Sequence, residues 1–391
     1  GISEAAASGT GNVSETLTNT TASPIVVTYA YTTTANGCNA PQSVTVTVNP
    51  IPVLSSTLTP PAICSATTFS YAATSATAGA TFAWTRAAVA GISQAAGSGI
   101  GSVSETLTNT TSAPVVVTYA YVTSANGCSS APQNVTVTVN PIPTLSSTLT
   151  PAAICSGTTF NYTATSATAG ASFAWTRAVA AGISQGATSG TGNVSEVLTN
   201  TTTAPVSLTY VYTTTANGCV GAPQNVVLTV NPTPALSSTL TPPAICSGTT
   251  FSYTPTSATA GSTFAWTRAA VIGISQAATL GTAGVNEVLT NTTTAPIVVT
   301  YLYTTTANGC SNVPQAVTVT VNPVPVLSST LTPAAICSST TFSYTPTSAT
   351  AGATFTWSRA LVAGISQIAS SGVGPVNEAL TNTTTAPIVV T

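Results

Sequence analysis

Ten ionic side chains and eight thiols are all this 391-residue chain offers for chemistry beyond its hydroxyl, amide and indole groups. The bases are Arg86, Arg177, Arg268 and Arg359. The acids are Glu4, Glu15, Glu105, Glu196, Glu287 and Glu378. Histidine, lysine, aspartate and methionine are absent. Without them no Ser-His-Asp triad, no Ser-Lys pair and no histidine-based metal site can be built. Each complete repeat unit holds a single glutamate, so no carboxylate pair for glycoside hydrolysis forms within a unit. The clustered acids that calcium requires are missing too. Gly97-Ser98-Gly99-Ile100-Gly101 looks like a phosphate loop, but no helix follows it, so it reads as a flexible loop. The chain reads as no enzyme, with no cofactor and no metal.

Disulfide chemistry and one ion pair remain. Cys64, Cys155, Cys246 and Cys337 each follow Ala-Ile, and Cys38, Cys128, Cys219 and Cys310 each follow Asn-Gly. Two cysteines per unit without a Cys-x-x-Cys spacing read as disulfides in an oxidising compartment.

These residues recur because the chain is one unit written about four times. Gly-Ile-Ser begins at Gly1, Gly91, Gly182, Gly273 and Gly364. Pro-x-Pro begins at Pro50, Pro141, Pro232 and Pro323, a period of 91 residues. A fixed period of this length denotes an array of like domains. The division is 1–49 (partial, C-terminal half), three full units at 50–140, 141–231 and 232–322, and 323–391 (partial, N-terminal half). With no initiator methionine, leader or sorting tail, the chain reads as an internal piece of something longer; the alternative is a subunit whose halves complete each other between copies.

Within 50–140, the pattern predicts short strands over Val53–Leu58, Thr67–Thr74, Thr81–Ala87, Ser102–Asn109, Val115–Thr123 and Asn134–Asn140, with an edge strand possible in Gly91–Gly101. Apolar residues alternate at period two, β-branched residues abound and turns come every 8–12 residues, which is the pattern of an antiparallel sandwich. Asn126-Gly127 is a hairpin turn signal. Trp84, Trp175, Trp266 and Trp357 are placed at the core. Arg86 lies on the Trp84 face of its strand and Glu105 on the Val103–Leu107 face of its own, so both point inward and should pair. The same logic couples Arg177 with Glu196, Arg268 with Glu287 and Arg359 with Glu378, and gives Glu15 an arginine upstream of Gly1.

A chain of net charge −2 has no basic face for nucleic acid or anionic lipid. Thr and Ser interrupt every apolar run, so no stretch reaches the ~20 residues of a spanning helix. So neutral a surface favours association with copies of itself, end to end or laterally. Outward threonines such as Thr136 and Thr138 leave open a glycan- or ice-binding array. Asn109-Thr110-Thr111 and Asn134-Val135-Thr136 are acceptor sequences if an N-glycosylation system is present.

Pro151–Gly157, Thr165–Gly170, Phe173-Ala174-Trp175-Thr176-Arg177, Ala216-Asn217-Gly218-Cys219 and Val227–Pro232 follow one another in this order. Throughout its length the chain resembles the PKD-like and Ig-like tandem repeats of giant cell-surface proteins of Bacteroidota, adhesin and fibre types among them. The resemblance implies an all-β tandem array of Ig/PKD-like antiparallel β-sandwiches of about seven strands. It also implies extracellular or cell-surface display by the type IX route, a structural role, and possible contact with surface glycans. A spacer of a secreted hydrolase is a further alternative.

Strand alternation bears on disulfide pairing. Cys64 falls in the turn after the first strand, at the pole where the domain ends, and Cys128 in the last hairpin turn, at the opposite pole. One strand length, ~25–30 Å, separates them, whereas bonded cysteines need Cα atoms ~5.5 Å apart. The next domain presents its own last hairpin turn to the first pole. Staples between domains, Cys64 with Cys219 and Cys155 with Cys310, are therefore favoured. Pairing within a domain, Cys64 with Cys128, and free thiols stay open.

Overall fold

The computed structural model describes Gly1–Thr391 and is built of strands and turns throughout. Domain 50–140 holds β1 (Ile63–Cys64), β2 (Thr67–Tyr71), β3 (Thr81–Arg86), β4 (Gly97–Ile100), β5 (Val103–Leu107), β6 (Val115–Ala125), β7 (Cys128–Ser129) and β8 (Gln133–Asn140). The larger sheet runs β1-β8-β6-β3-β4, with β7 folded back on β6; β2 and β5 form the smaller sheet. Every pairing is antiparallel except that of β1 with β8, where Ile63 faces Val139 and Cys64 faces Asn140.

Period-two alternation decides which side chains meet between the sheets. β6 turns Val117, Tyr119 and Tyr121 inward and β8 turns Val135, Val137 and Val139 inward, all fully buried. From the smaller sheet Phe69, Tyr71, Val103 and Leu107 pack onto them. The Phe69 ring lies 5.3 Å from that of Tyr119, and Tyr71 lies 5.5 Å from Tyr121. Each such side chain contributes about 1.5–3 kcal/mol by leaving water. Asn126 (φ 51°) and Gly127 (φ 79°) both take the left-handed conformation that closes the tight turn from β6 to β7.

Two features differ from the sequence reading. Val53–Leu58 is not a strand. Leu54 makes a single bridge to Ser75, and the Leu58 carbonyl accepts from the Thr136 N–H. The Leu54 N–H goes to Gln133 Oε1 and the Ser55 N–H to the Thr74 carbonyl, so the segment makes single contacts and the first regular pairing waits until β1. The tryptophans belong to the core but not to its centre: Trp175 and Trp266 are buried core members, and Trp84 packs at its edge. Trp84 is only half-buried, stands edge-on to Tyr119 at 5.5 Å, and covers Gly99 of β4. The tyrosines of β6 occupy the centre instead.

The arrangement repeats in 141–231 and 232–322. Residues 25–48 form one hairpin, Ile25–Ala35 with Cys38–Val48. Residues 340–380 form two small sheets, Thr340–Tyr344 with Val376–Leu380 and Thr356–Arg359 with Ser370–Val373.

Candidate functional site

The joint between domains concentrates the chain's covalent chemistry. β8 ends at Asn140, and the parallel register sets Cys64 directly beside it. The Asn140 side-chain amide donates to the Asn217 carbonyl of the following domain at 3.0 Å. Asn231 does the same to Asn308 at 3.0 Å, and Asn49 to Asn126 at 2.9 Å. Asn217 (φ 50°) and Gly218 (φ 77°) form the tip of a hairpin turn, which delivers Cys219 to the joint. Cys64 is disulfide-bonded to Cys219 and Cys155 to Cys310; each pair has Cα atoms 5.6 Å apart and lies 155 residues apart in sequence.

The β6–β8 register separates Cys64 from Cys128. Val115 pairs with Val139 at one end of β6, beside Cys64, and Ala125 pairs with Cys128 at the other. The 11-residue strand between them spans about 35 Å. Cys38, Cys128, Cys246 and Cys337 carry free thiols, and all but the half-buried Cys128 are exposed.

The second constellation is ionic and lies inside each sandwich. Arg86, at the end of β3, has a fully buried side chain, while Glu105 on β5 of the opposite sheet keeps 22% of its side chain exposed. Arg86 Nε donates to Glu105 Oε2 at 2.9 Å and Nη2 to Oε1 at 2.6 Å, a two-pronged contact. Further guanidinium hydrogens go to the Ala87 and Ala95 carbonyls. The Tyr119 hydroxyl donates to Glu105 Oε2 at 2.6 Å. Arg177–Glu196–Tyr210 and Arg268–Glu287–Tyr301 repeat this network, and Arg359 pairs with Glu378 at 2.7 Å. Glu15 receives the Tyr29 hydroxyl, as Glu105 receives that of Tyr119. Burial pushes the Glu105 pKa up, but the Arg86 and Tyr119 hydrogen bonds and the Arg86 charge outweigh it and hold the carboxyl below its usual range. Burial, followed by the hydrogen bond to Glu105, drives the Tyr119 phenol far above its ordinary value. Within each complete domain the guanidinium and the carboxylate neutralise each other, so the network fixes the two sheets together.

Gln133 and the side chain of Asn140 were not singled out from the sequence, and Asn109 takes a role other than the acceptor one read there. Asn109 is buried: its Nδ2 donates to the Ala113 and Val139 carbonyls, and its Oδ1 accepts from the Thr111 N–H and hydroxyl. Asn109-Thr110-Thr111 is thus a loop clamp, and the amide a glycan would need is occupied. Gln133 Oε1 accepts from the Leu54 N–H, tying the linker to β8. The available signal was recurrence: Asn-Pro-x-Pro and Asn-Thr-Thr return in every unit. The indole N–H groups of Trp84, Trp175, Trp266 and Trp357 are buried without a partner. Thr136 and Thr138 lie on the outer face of the larger sheet, half-buried, but Val227 stands at the position of Thr136 in the next domain. The threonine array is therefore interrupted.

A run of β-sandwiches, each with a buried ion pair and each bonded to the next through disulfides, defines a tandem repeat protein. The chain belongs to the PKD-like domain family, whose model matches residues 61–143, 152–234 and 243–325. PKD/Ig-like repeat domains are typically non-catalytic structural modules. No curated protein matches the chain. Among solved structures it is similar to the I-band fragment I67-I69 from titin, at 10% identity and a TM-score of 0.33, covering 70% of this chain and 98% of that one. It is likewise similar to mouse cadherin-23 EC22-24, at 13% identity and a TM-score of 0.30, covering 68% and 95%. A third is the protocadherin gammaB7 EC3-6 cis-dimer structure, at 13% identity and 0.26, covering 85% and 92%. No helix is long and apolar enough to cross a membrane.

Proposed function

We propose that this chain is the shaft of an extracellular filament or surface adhesin, a spacer whose task is mechanical. The observation that supports this reading is the joint. The same disulfide and the same Asn-to-carbonyl hydrogen bond recur at the two successive joints of the three complete domains. This array places its disulfides and its inter-domain hydrogen bonds at the joints, where they restrain bending. Disulfides call for an oxidising compartment, which favours display outside the cell, and the motif order favours a large surface protein of the type Bacteroidota carry. Copies of the chain are its partners, associating end to end or side by side through a surface almost without charge. Electron microscopy of the purified chain tests the shaft. Straight rods with about 35–45 Å per domain, judged from strand length, are expected when oxidised, and bent, beaded chains after reduction. Equal flexibility in both states would remove the shaft reading. Immunogold labelling of the source cells tests display, with label confined to the cell interior as the contrary result.

A further inference from the structure

The disulfides do more than stiffen the joints. In each domain two extended segments cross from the entering pole to the leaving pole. One is the first segment, Pro50 to Cys64 in the first complete domain. The other is the last strand, Cys219 to Asn231 in the second. Cys64 sits at the leaving pole of its domain, and Cys219 at the entering pole of the next. The covalent route Pro50–Cys64–Cys219–Asn231 thus crosses two domains in about 26 residues, at most about 95 Å at 3.3–3.6 Å each. The ordinary chain route between the same ends has about 181 residues and could extend beyond 600 Å. Two folded sandwiches, each about 35 Å along its 11-residue strand plus a linker, already fill most of the shorter route. A second route, Pro141–Cys155–Cys310–Asn322, crosses the second and third domains in the same way. The two run side by side through the middle domain, one along its first segment and one along its last strand.

The geometry points to a further function: the stapled array is a tension-bearing tether whose two disulfides cap its lengthening, holding its limiting extension to about half that of the unstapled chain. Force passes through first segments, last strands and disulfides. Across one bridged pair the remaining strands lie off the short route, so their loss releases almost no length; across all three domains the shared stretch Cys155–Cys219 carries the load between the staples, and only its unfolding adds length. This deepens the shaft reading but rests on the disulfide register alone. A shaft can be displayed and rigid yet still lengthen on unfolding, so the two ideas fail separately.

Single-molecule stretching of the full chain, held by its two ends, is the test. With both staples closed the shortest covalent route from Gly1 to Thr391 has about 208 residues, and the expected limiting extension is about 700 Å. In reductant it rises to about 1,300 Å. Cys64→Ser under oxidising conditions adds only about 90 Å, because the second staple still shortens the route. Cys246→Ser adds nothing. Equal extension of the oxidised and reduced chains overturns the proposal. So does a gain of about 220 Å for Cys64→Ser or Cys246→Ser, the signature of pairing within domains.

Discussion

Converting Glu105, Glu196 and Glu287 together to glutamine isolates the buried network in the three complete domains. In the first of them, Arg86 is enclosed and spends its guanidinium on both Glu105 oxygens and on two backbone carbonyls. The carboxamide keeps one acceptor, presents an N–H to a cation and weakens the partner of the Tyr119 hydroxyl. Removing one member of a buried pair costs roughly 3–5 kcal/mol, because the other charge stays in place without compensation. We expect the lower end, about 3 kcal/mol per domain, since Glu105 still reaches water. A domain of this size has a urea slope near 1 kcal/mol/M, so the unfolding midpoint should fall by about 3 M. Trp84, Trp175 and Trp266 report it by fluorescence, one per domain. The control replaces each trio with apolar residues: Arg86→Met, Glu105→Leu and Tyr119→Phe, and likewise in the other two domains. It should recover most of the loss, because it leaves no charge behind. A midpoint shift below about 0.5 M for the glutamine variant, or equal shifts for variant and control, would refute the view that the pair is held by the cost of breaking it.

Gly99→Ala places a Cβ 2.7 Å from Trp84 Cζ2 and 2.8 Å from Cε2, so the indole must move; a loss of about 1–3 kcal/mol in chemical denaturation is expected. Asn109→Ala removes four hydrogen bonds and leaves the Val139 carbonyl without its buried donor; a cost of about 2–3 kcal/mol is expected, and intact-mass analysis of the native protein should find Asn109 unmodified. Stability should be level across neutral pH and fall at both extremes. Glu105, held below its ordinary value, stabilises above about pH 4.3 and loses that contribution as pH falls through its native pKa. Tyr121, pushed up to about 12 chiefly by burial and then by Tyr71, stabilises fully below about pH 10 and loses this as pH rises through 12. Ultraviolet titration should show the β6 tyrosines ionising only as the chain unfolds.

The fold was legible because its signals are local and repeated four times. Alternation in Val115–Ala125 and Gln133–Asn140, Asn-Gly turns and a fixed period leave little choice of architecture. The inward faces of Arg86 and Glu105 follow from period two alone. What escaped the sequence depended on hydrogen-bond supply and on close packing. Val53–Leu58 spends its N–H groups on single contacts to Gln133 and Thr74, yet its apolar pattern looks like a strand. Trp84 is the largest side chain of its unit, but its place was fixed by Gly99, a residue read as part of a loop. Asn109 and Asn140 resemble ordinary polar loop residues until the carbonyls they reach are known, and those lie 30 and 77 residues away.

The spacing of 155 residues between bonded cysteines also sets an order of events once the chain reaches an oxidising compartment. Cys128 and Cys155 both lie nearer to Cys64 in sequence than Cys219 does, and each is a competing partner. Only the completed sandwich, with β8 laid beside β1, carries Cys128 to the far pole and out of reach. Each domain must therefore fold as a reduced thiol and wait for its successor. Oxidation that outruns folding would lock neighbouring cysteines into the wrong pairs, and the error would pass to the next domain, whose own cysteine would then find its partner taken.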